Sequence, residues 1–567
     1  MKSLGFTLPV FLVSLVFLGS DNPYLSLNHS DSASVLGVLA LLLLVFNLHK
    51  LKSKIGEAVV LSPLILALVF FLGWLALGYW YTVRLDLSYE WIVKSLFAVP
   101  LALGMVLFLK DKNQLHAILW VLTGCASWVT VFGICQQLQP SLIKIHDPTF
   151  PSLAIFENTN LFACYLVIYF PLAIYLFRNS KTGLEKSVAG ITGFLIVVNI
   201  WFTYSIWGMA VVLGQTLAVG LYLLGRKGWR AAKILAGAVV MGGSGLIVYA
   251  WQVGVAAGFP PAISHRVLIR LEYWQAAWNI FLDHWVLGTG LFTFTKIYPE
   301  YQVDKFQMPM HAHNLYLQIA AEAGLIGLAL LLFCIGLLGN KMVMLIRHGE
   351  HRETAFYLAL AVAGFLTHNL IDTFWANGGL LFYFVLMVCL VDFLDRSRHR
   401  KIQPGLSHRS ALAVGMTMLI LFSSWMLVQY YRYETLVNRE VFKQPGIEQA
   451  VSVLYRSAAL CARCSTPYLL MGNFYLMEHG RSPASGYLEK AEAALQTARQ
   501  MGKYYQDSKL YLSDVRVAQG RLRDAWNLLM PPAQYGMQER EAIGRLHLIA
   551  QKRQQQIEEQ SPAKKSR

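Results

Sequence analysis

Long apolar runs alternate with short polar segments along almost the whole chain. Many of the runs are close to 20 residues long, the length that an α-helix needs to cross the hydrocarbon layer of a bilayer. The pattern predicts an all-α, polytopic integral membrane protein with about 13 transmembrane helices. These are placed near residues 4–19, 34–48, 58–80, 91–109, 116–135, 159–177, 188–203, 207–225, 232–255, 315–338, 354–371, 378–394 and 411–429.

The charge of the connecting loops predicts the orientation of these helices. Basic loops such as HKLKSK, LKDKNQ and GRKGWR alternate with acidic or mixed loops such as SDNPYLSLNHSDSAS. Because basic loops stay in the cytoplasm, we expect a multi-pass protein of the bacterial inner membrane with a cytoplasmic N-terminus and a periplasmic C-terminus. No small-residue cleavage site follows the first apolar run, which is therefore interpreted as an anchor and not as a signal peptide.

Composition narrows the classes of partner. The chain has 567 residues, of which 56% are hydrophobic and 14% charged, with a net charge of +16. The basic residues lie mostly in short loops, which indicates contact with anionic lipid headgroups and not with nucleic acid. Most cysteines lie in apolar runs and act as small apolar side chains. Cys461 and Cys464 lie in a polar region, where their spacing on one helix is awkward for a disulfide, so we expect two free thiols.

Two outward-facing regions are large in this arrangement. Residues 256–314 form a large periplasmic loop between the N-terminal helices of residues 1–255 and the C-terminal helices of residues 315–430. Residues 431–556 are polar and have helical periodicity, with glycine turns at Gly480 and Gly520. They resemble tetratricopeptide (TPR) hairpins and are expected to form a soluble periplasmic helical-repeat domain that binds a protein partner. The basic tail, residues 557–567, is expected to be disordered.

The candidate chemistry lies at the edge of an apolar run. His311, His313 and Asn314 stand where the periplasmic loop meets the predicted helix beginning at residue 315. Upstream, SHRVLIRLEYWQAAWNIF predicts an amphipathic helix in which Arg270 and Trp274 share one face at the membrane surface. Arginine, histidine and amide groups would therefore meet on one side of the membrane.

Other polar residues have structural explanations beside functional ones. Asn158 and Asn160 precede an apolar run, where asparagine is a common helix N-cap. His368 and Asp372 are explained most simply as an i,i+4 pair at the end of a helix. Interfacial arginine and tryptophan are more often anchors than ligands. It is the joint placement of these groups that favours a function.

Three motifs resemble the O-antigen ligase and polymerase superfamily. In HNLYLQIAAEAGLIG, His313 and Asn314 open a helix that carries Glu322 and Gly324, as in the signature of that family. RLEYWQAAWNIFLDHWVLGTG and FENTN resemble two further segments of it, in the right order. The resemblance implies a glycosyltransferase whose donor is a glycan linked to a polyprenyl diphosphate, such as undecaprenyl diphosphate. The acceptor is lipid A-core, a growing polysaccharide, or a serine or threonine of a protein.

One position departs from the family pattern. Many relatives carry an arginine after a serine at the start of the eighth predicted helix, where TYSIWGMA has Ile206. One phosphate contact that the resemblance implies is therefore missing. Arg266 and Arg84 are the candidates to replace it.

The residue types suit the implied chemistry. Departure of a diphosphate from an anomeric carbon develops negative charge, which arginines bind bidentately while staying ionised. A histidine suits deprotonation of an acceptor hydroxyl. No Asp-x-Asp pair occurs in the outer loops, so we predict metal-independent, inverting transfer with no cofactor. The predicted site comprises His313 as base, Arg270 and Arg266 on the diphosphate, His311 for orientation, and Asn158, Asn160, Asn314 and Arg84 for donor binding.

Two other classes of function stay open. A transporter of lipid-linked sugars would also have many helices, but it would carry ionisable groups in mid-membrane, whereas these runs are almost free of charge at their centres. A non-catalytic scaffold would use the C-terminal repeats and leave the arginine and histidine groups without a purpose. A ligase or polymerase is the leading hypothesis, and a protein O-oligosaccharyltransferase is the alternative.

Overall fold

The computed structural model describes residues 61–109, 112–138, 154–156, 158–225, 261–302, 309–373, 378–398, 409–483, 486–502, 506–533 and 538–560. All regular structure in these residues is helical, in agreement with the all-α prediction. The helices are α1 (Pro63–Tyr81), α2 (Leu85–Phe108), α3 (Lys112–Leu138), α4 (Thr159–Asn179), α5 (Gly183–Phe202), α6 (Ile206–Gly225), α7 (Pro261–Asp283), α8 (Phe294–Ile297), α9 (Leu315–His348), α10 (Arg352–His368), α11 (Gly378–Arg398), α12 (Arg409–Thr435), α13 (Ile447–Leu460), α14 (Thr466–Arg481), α15 (Tyr487–Met501), α16 (Gln506–Ala518), α17 (Leu522–Ala533) and α18 (Gln538–Gln560).

Among the described residues, eight helices are long and apolar enough to cross a membrane. They are α1 to α6, α9, and α12 together with the short helical turns that continue it to Lys443. Helices α10 and α11 occupy two further predicted spans, near residues 354–371 and 378–394. The predicted spans at residues 4–19, 34–48 and 232–255 lie outside the described residues. The protein is thus a multi-pass membrane protein by the length and composition of its helices, and the total of thirteen stays a prediction.

Helix α4 lies at the centre of the described bundle. It packs against α5 and α10, and its side chains are buried along nearly its whole length. The rings of Tyr165 and Tyr169 contact Tyr383 of α11, with ring centroids 6.0 and 5.4 Å apart. Helices α5 and α6 instead keep large apolar side chains exposed, such as Phe194 and Leu213. Apolar exposure on a membrane helix is typical of contact with lipid.

Charged side chains occur inside two of the predicted spans, as ion pairs. In α2, Lys94 is fully buried and its Nζ lies 2.6 Å from the carboxylate of Glu90. In α9, the Nζ of Lys341 lies 3.2 Å from the buried carboxylate of Asp392 in α11. Opposite charges at this distance compensate one another in a medium that solvates them poorly. Lys94 and Asp392 lie near the ends of the predicted spans 91–109 and 378–394, so these pairs do not contradict the expectation that the span centres are almost free of charge.

The C-terminal helices α13 to α18, called the C-terminal domain below, pack successively against one another. Gly520, with a left-handed backbone (φ +74°), lies in the turn between α16 and α17, where the sequence predicts a turn. Gly480 lies instead in the last turn of α14. Ala491 and Ala525 are fully buried, as expected of small residues between close helices. The relation to tetratricopeptide repeats stays a prediction.

The prediction of free thiols at Cys461 and Cys464 is wrong, because the two residues form a disulfide. Helix α13 ends at Leu460 and α14 begins at Thr466. The cysteines therefore lie in the turn between two helices and not on one helix, and their Cα atoms are 5.3 Å apart. That separation suits a disulfide, whereas the geometry assumed from the sequence did not.

The disulfide turn joins the C-terminal domain to the corner between α1 and α2. The guanidinium of Arg463, between the two cysteines, donates to the backbone oxygen of Tyr79 and to that of Thr82, the latter at 3.0 Å. The Oγ1 of Thr466 donates to the carboxylate of Asp86 at 2.8 Å. Two ion pairs, Lys509–Glu300 and Lys296–Asp507, lie at 3.6 and 3.9 Å. The domain is thus held beside residues 296–300, which follow the GTG motif at residues 288–290.

Candidate functional site

The turn that carries His313 is held in place by the residue after it. His313 lies just before α9 and has a left-handed backbone (φ +50°), which is uncommon outside glycine. Asn314 caps α9: its Oδ1 accepts from the backbone N–H groups of Tyr316 and Leu317, each at 3.0 Å. Its Nδ2 donates to the backbone oxygen of Leu370 at 2.9 Å. The turn is therefore fixed to the chain that follows α10.

His313 and Asp372 form a hydrogen-bonded pair, with Nδ1 and Oδ1 2.8 Å apart. Asp372 is buried, whereas 34% of the His313 side chain is exposed. Burial alone would raise the pKa of Asp372, but the hydrogen bond and electrostatic interaction with His313 lower it to about 2. An ionised carboxylate only accepts hydrogen bonds, so Nδ1 carries the proton and Nε2 is the basic nitrogen.

This pair corrects the interpretation of Asp372 from the sequence. Helix α10 ends at His368, so Asp372 lies beyond the helix and its hydrogen bond goes to His313. His368 still interacts electrostatically with Asp372, but the two residues are not an i,i+4 pair on one helix. The sequence signal that could have found the contact is an acidic residue at the same edge of the membrane as His313.

Helix α7 forms one wall of the site. The Nε1 of Trp274 donates to the backbone oxygen of His313 at 3.2 Å, and the Tyr273 ring stacks on the His313 imidazole at 5.8 Å between centroids. Arg270 lies one helical turn before Trp274 and is close enough to His368 to interact with it electrostatically. The structure thus brings Arg270, His313 and Asp372 to one place. The side chain of Arg266 lies outside the described part of the chain.

His311 lies beside the same pair. Its ring meets the ring of Phe292 edge to face, with centroids 5.4 Å apart. Burial, and secondarily the neighbouring His313, lower the pKa of His311 to about 4. A pKa this low leaves the imidazole of His311 neutral at physiological pH, so it would not act through charge. That state agrees with a role in orientation.

Glycines allow the chain to cross itself below the histidines. Gly324 interrupts α9 with a left-handed backbone (φ +68°), and a Cβ atom there would meet the backbone oxygen of Val286. Gly288 has φ +76°, and a Cβ atom on it would meet the backbone of Glu322. The N–H of Gly290 donates to the backbone oxygen of Glu322 at 2.8 Å. The GTG motif (residues 288–290) and the EAG motif (residues 322–324) thus pack directly against one another where the two chain segments cross.

The side chain of Glu322 fastens this crossing to the loop that contacts His311. Its buried carboxylate accepts from the backbone N–H of Phe294 at 3.1 Å. Further backbone hydrogen bonds come from Phe292 and Thr293. Phe292 in turn contacts His311. Glu322, whose role the sequence leaves open, therefore ties α9 to residues 292–294, and Phe292 of that segment lies against His311.

The remaining predicted donor-binding residues have structural partners. Arg84 is buried and forms an ion pair with Asp86, with Nε–Oδ1 at 3.0 Å and Nη2–Oδ2 at 2.6 Å. Asn158 caps α4 by accepting from the N–H of Leu161 at 2.8 Å. The Oδ1 of Asn160 accepts from the hydroxyl of Ser205 at 2.9 Å. Donor binding by these residues, and by Asn314, stays a prediction.

Comparison with known proteins finds similarity over part of the chain. Residues 191–332 match the O-antigen ligase family. A protein described as a polysaccharide ligase from Rickettsia prowazekii is 29% identical over 140 residues, which are 23% of this chain and 33% of that protein. The teichuronic acid biosynthesis protein TuaE of Bacillus subtilis is 25% identical over 193 residues, 32% of this chain and 38% of that protein. The chain spans about a third of the length of these relatives.

The matched region contains most of the site. It includes α7 with Arg270, the histidine turn and the glycine crossing, and it ends before Asp372. The family match and the polysaccharide ligase relatives support a membrane protein of polysaccharide ligase type. The partner of His313 comes from the structure alone.

Proposed function

We propose that this protein is a membrane glycosyltransferase of O-antigen ligase or polymerase type, which transfers a glycan from a polyprenyl diphosphate to an acceptor hydroxyl. The observation that carries the proposal is the His313–Asp372 pair beside Arg270, within and next to the region that matches the O-antigen ligase family. A buried carboxylate that holds one imidazole nitrogen leaves the other as a base. Such a base serves group transfer and has no evident use in a scaffold.

In the proposed reaction, Nε2 of His313 takes the proton of the acceptor hydroxyl while the hydroxyl oxygen attacks the anomeric carbon. The bond from that carbon to the diphosphate oxygen breaks, and the polyprenyl diphosphate leaves with the bonding electrons. Asp372 stabilises the imidazolium that forms. Attack from the face opposite the leaving group inverts the anomeric configuration. General-base assistance of this kind contributes roughly 10²–10⁴-fold to a rate.

Arginine is proposed to bind the leaving group. Arg270 lies on the wall of the site next to Trp274, and Arg266 lies one turn earlier on α7. A guanidinium binds phosphate oxygens bidentately and stays ionised, so it stabilises the charge that develops on the diphosphate. Transfer is therefore proposed to be independent of metal ions.

The site is proposed to face the periplasm, where the acceptor is lipid A-core or growing surface polysaccharide. The C-terminal domain then lies in the periplasm as well, since it is docked on the segment that follows the GTG motif. A disulfide in that domain agrees with an oxidising compartment. Transfer to serine or threonine of a protein is the alternative outcome of the assay below.

The test uses full-length protein in lipid nanodiscs with a polyprenyl-diphosphate oligosaccharide and three acceptors: lipid A-core, a second repeat unit and a hydroxyl-bearing protein. His313→Ala should abolish transfer and still bind the donor. Arg270→Ala should weaken donor binding, and Arg270→Lys should restore it only in part because the bidentate contact is lost. Transfer should persist after treatment with a chelator.

A matched control is His348→Ala. His348 lies at the opposite end of the same helix, α9, and is exposed, so this variant should transfer at the normal rate. Near-normal turnover by His313→Ala would show that the histidine is an interfacial anchor. A strict requirement for a divalent ion would contradict the assignment of the arginines.

A further inference from the structure

A groove on the C-terminal domain is separate from the histidine site. It lies between α13 and the pair α14–α15 and has a volume of about 560 Å³, within the range of about 300–1,000 Å³ that holds small ligands. Tyr455, Tyr475 and Tyr487 line it together with the charged residues Glu448, Arg456 and Lys490. We call these six residues the tyrosine groove.

Two of the tyrosines that line the groove stack on one another. Tyr475 and Tyr487 stack, with ring centroids 6.1 Å apart and ring planes 24° from parallel. The Nζ of Lys490 lies 5.9 and 5.7 Å from the two ring centroids. Tyr455, on the facing helix α13, is 56% exposed. A paired platform opposite an exposed ring offers two apolar faces with polar hydroxyl tips.

The charged side chains supply donors and acceptors around these faces. Glu448, Arg456 and Lys490 are all exposed, and no ion pair joins any of them to another described residue. A carboxylate accepts hydrogen bonds, whereas guanidinium and ammonium groups donate them. The groove thus offers both kinds of partner next to apolar ring faces.

We propose that the tyrosine groove binds an oligosaccharide segment of the glycan that the protein transfers. A pyranose ring has an apolar C–H face that packs on an aromatic ring, and hydroxyls at its rim that both donate and accept hydrogen bonds. The groove matches both properties. The identity of the glycan rests on the proposed function, but binding itself does not.

An extended peptide fits these residues less well. Its backbone presents a donor and an acceptor at every residue, and a carboxamide side chain is the group that pairs with both at once. Among the described residues, the lining of the groove contains no asparagine or glutamine, and the backbone groups of its helices are used within the helices. The side chains present favour a sugar.

The C-terminal domain that carries the groove is fixed beside the proposed site of transfer. Arg463 in the disulfide turn holds the domain to Thr82, and Lys509 pairs with Glu300. The groove is therefore on a domain fixed beside the proposed site of transfer. A glycan bound at a second point stays near that site between transfers, which raises its effective concentration there.

The test measures binding directly and does not depend on turnover. Oligosaccharides released from the surface polysaccharide of the producing cell are titrated into full-length protein in nanodiscs. Tyr455→Ala should weaken their binding by about twofold to twelvefold, in line with the roughly 0.5–1.5 kcal/mol of an aromatic contact. Adding Arg456→Gln should weaken it further. Tyr431→Ala is the matched control, a tyrosine of similar exposure on α12 and outside the groove.

The outcomes separate this proposal from the previous one. Failure of the wild-type protein to bind the oligosaccharides, or equal binding by Tyr455→Ala, overturns the groove assignment whatever the transfer assay shows. Binding of unstructured peptides instead, lost in Tyr455→Ala, overturns it in favour of a peptide site. Oligosaccharide binding that is weakened by Tyr455→Ala and unchanged in His313→Ala supports it, even where no transfer is detected.

Discussion

Replacing Asp372 by asparagine removes the charge beside His313 and keeps the size of the side chain. The carboxylate accepts a hydrogen bond from Nδ1 of His313 and another from the backbone N–H of Thr373 at 2.9 Å. An asparagine oxygen can keep the second contact, so the fold around residue 372 should survive. What the variant loses is the stabilisation of the imidazolium that forms during transfer.

The structure sets the size of this loss. The pKa of Asp372 is about 2, against an ordinary value of 3.8. The difference of 1.8 between these two values, at 1.36 kcal/mol for each pKa unit, is roughly 2 to 3 kcal/mol in favour of the ionised carboxylate. Transferred to the transition state, this is a fall of roughly 60-fold in rate. If the amide also holds the imidazole in the wrong tautomer, the fall reaches about 10⁴-fold.

The assay is single-turnover transfer from saturating donor, with donor affinity measured separately. Asp372→Asn should lower the rate at least about 60-fold and leave the donor Kd within twofold. Asp283→Asn is the control: its carboxylate lies at the end of α7 and, among the described residues, accepts a hydrogen bond from the hydroxyl of Tyr301 and from no other group. A rate for Asp372→Asn within threefold of wild type, or a loss of donor affinity as large as the loss of rate, would refute the reasoning.

Two further predictions follow from the same region. The pKa of His311 is about 4 in the folded protein, below its unfolded value near 6.5, so the unfolded chain takes up the proton first and stability should fall as pH drops from 6.5 towards 4. Thermal unfolding against pH should show this slope, and His311→Phe should flatten it; an unchanged slope would contradict the assignment. Gly324→Ala should lower the unfolding temperature and the activity, because φ is +68° and the Cβ would meet the Val286 oxygen. Gly339 lies in the same helix and has nothing within 4 Å of an added Cβ, so Gly339→Ala should be neutral or stabilising. If both substitutions lowered the unfolding temperature equally, the close packing of Gly324 against Val286 would be contradicted.

The sequence predicted where several residues of the candidate site lie, because these residues stand at helix ends or share one helical face. His313 and Asn314 end a loop and begin an apolar helix, and the structure places them there. Trp274 and Arg270 share a helical face through their spacing of four residues, and that face reaches the histidine turn. These relations are local or follow from helical periodicity, so they can be derived without tertiary information.

Contacts between segments that are far apart in the chain could not be predicted from the sequence. The contact between His313 and Asp372 joins residues 59 positions apart, and local spacing instead suggested a pair of Asp372 with His368. The interlocked glycines join Gly288 to Glu322 and Gly324 to Val286. Nothing in either motif alone shows that its missing Cβ makes room for the other.

The sequence by itself determined the class of the molecule: runs of apolar residues long enough to cross a bilayer leave the backbone no alternative to helices, since its polar groups must be satisfied inside each segment. It also determined which polar residues stand at the ends of those helices. Only the tertiary structure decided which of these residues meet, because packing sets the register of helices that are far apart in the chain. The same holds for Cys461 and Cys464, whose disulfide depends on a turn between two helices that their spacing alone does not reveal.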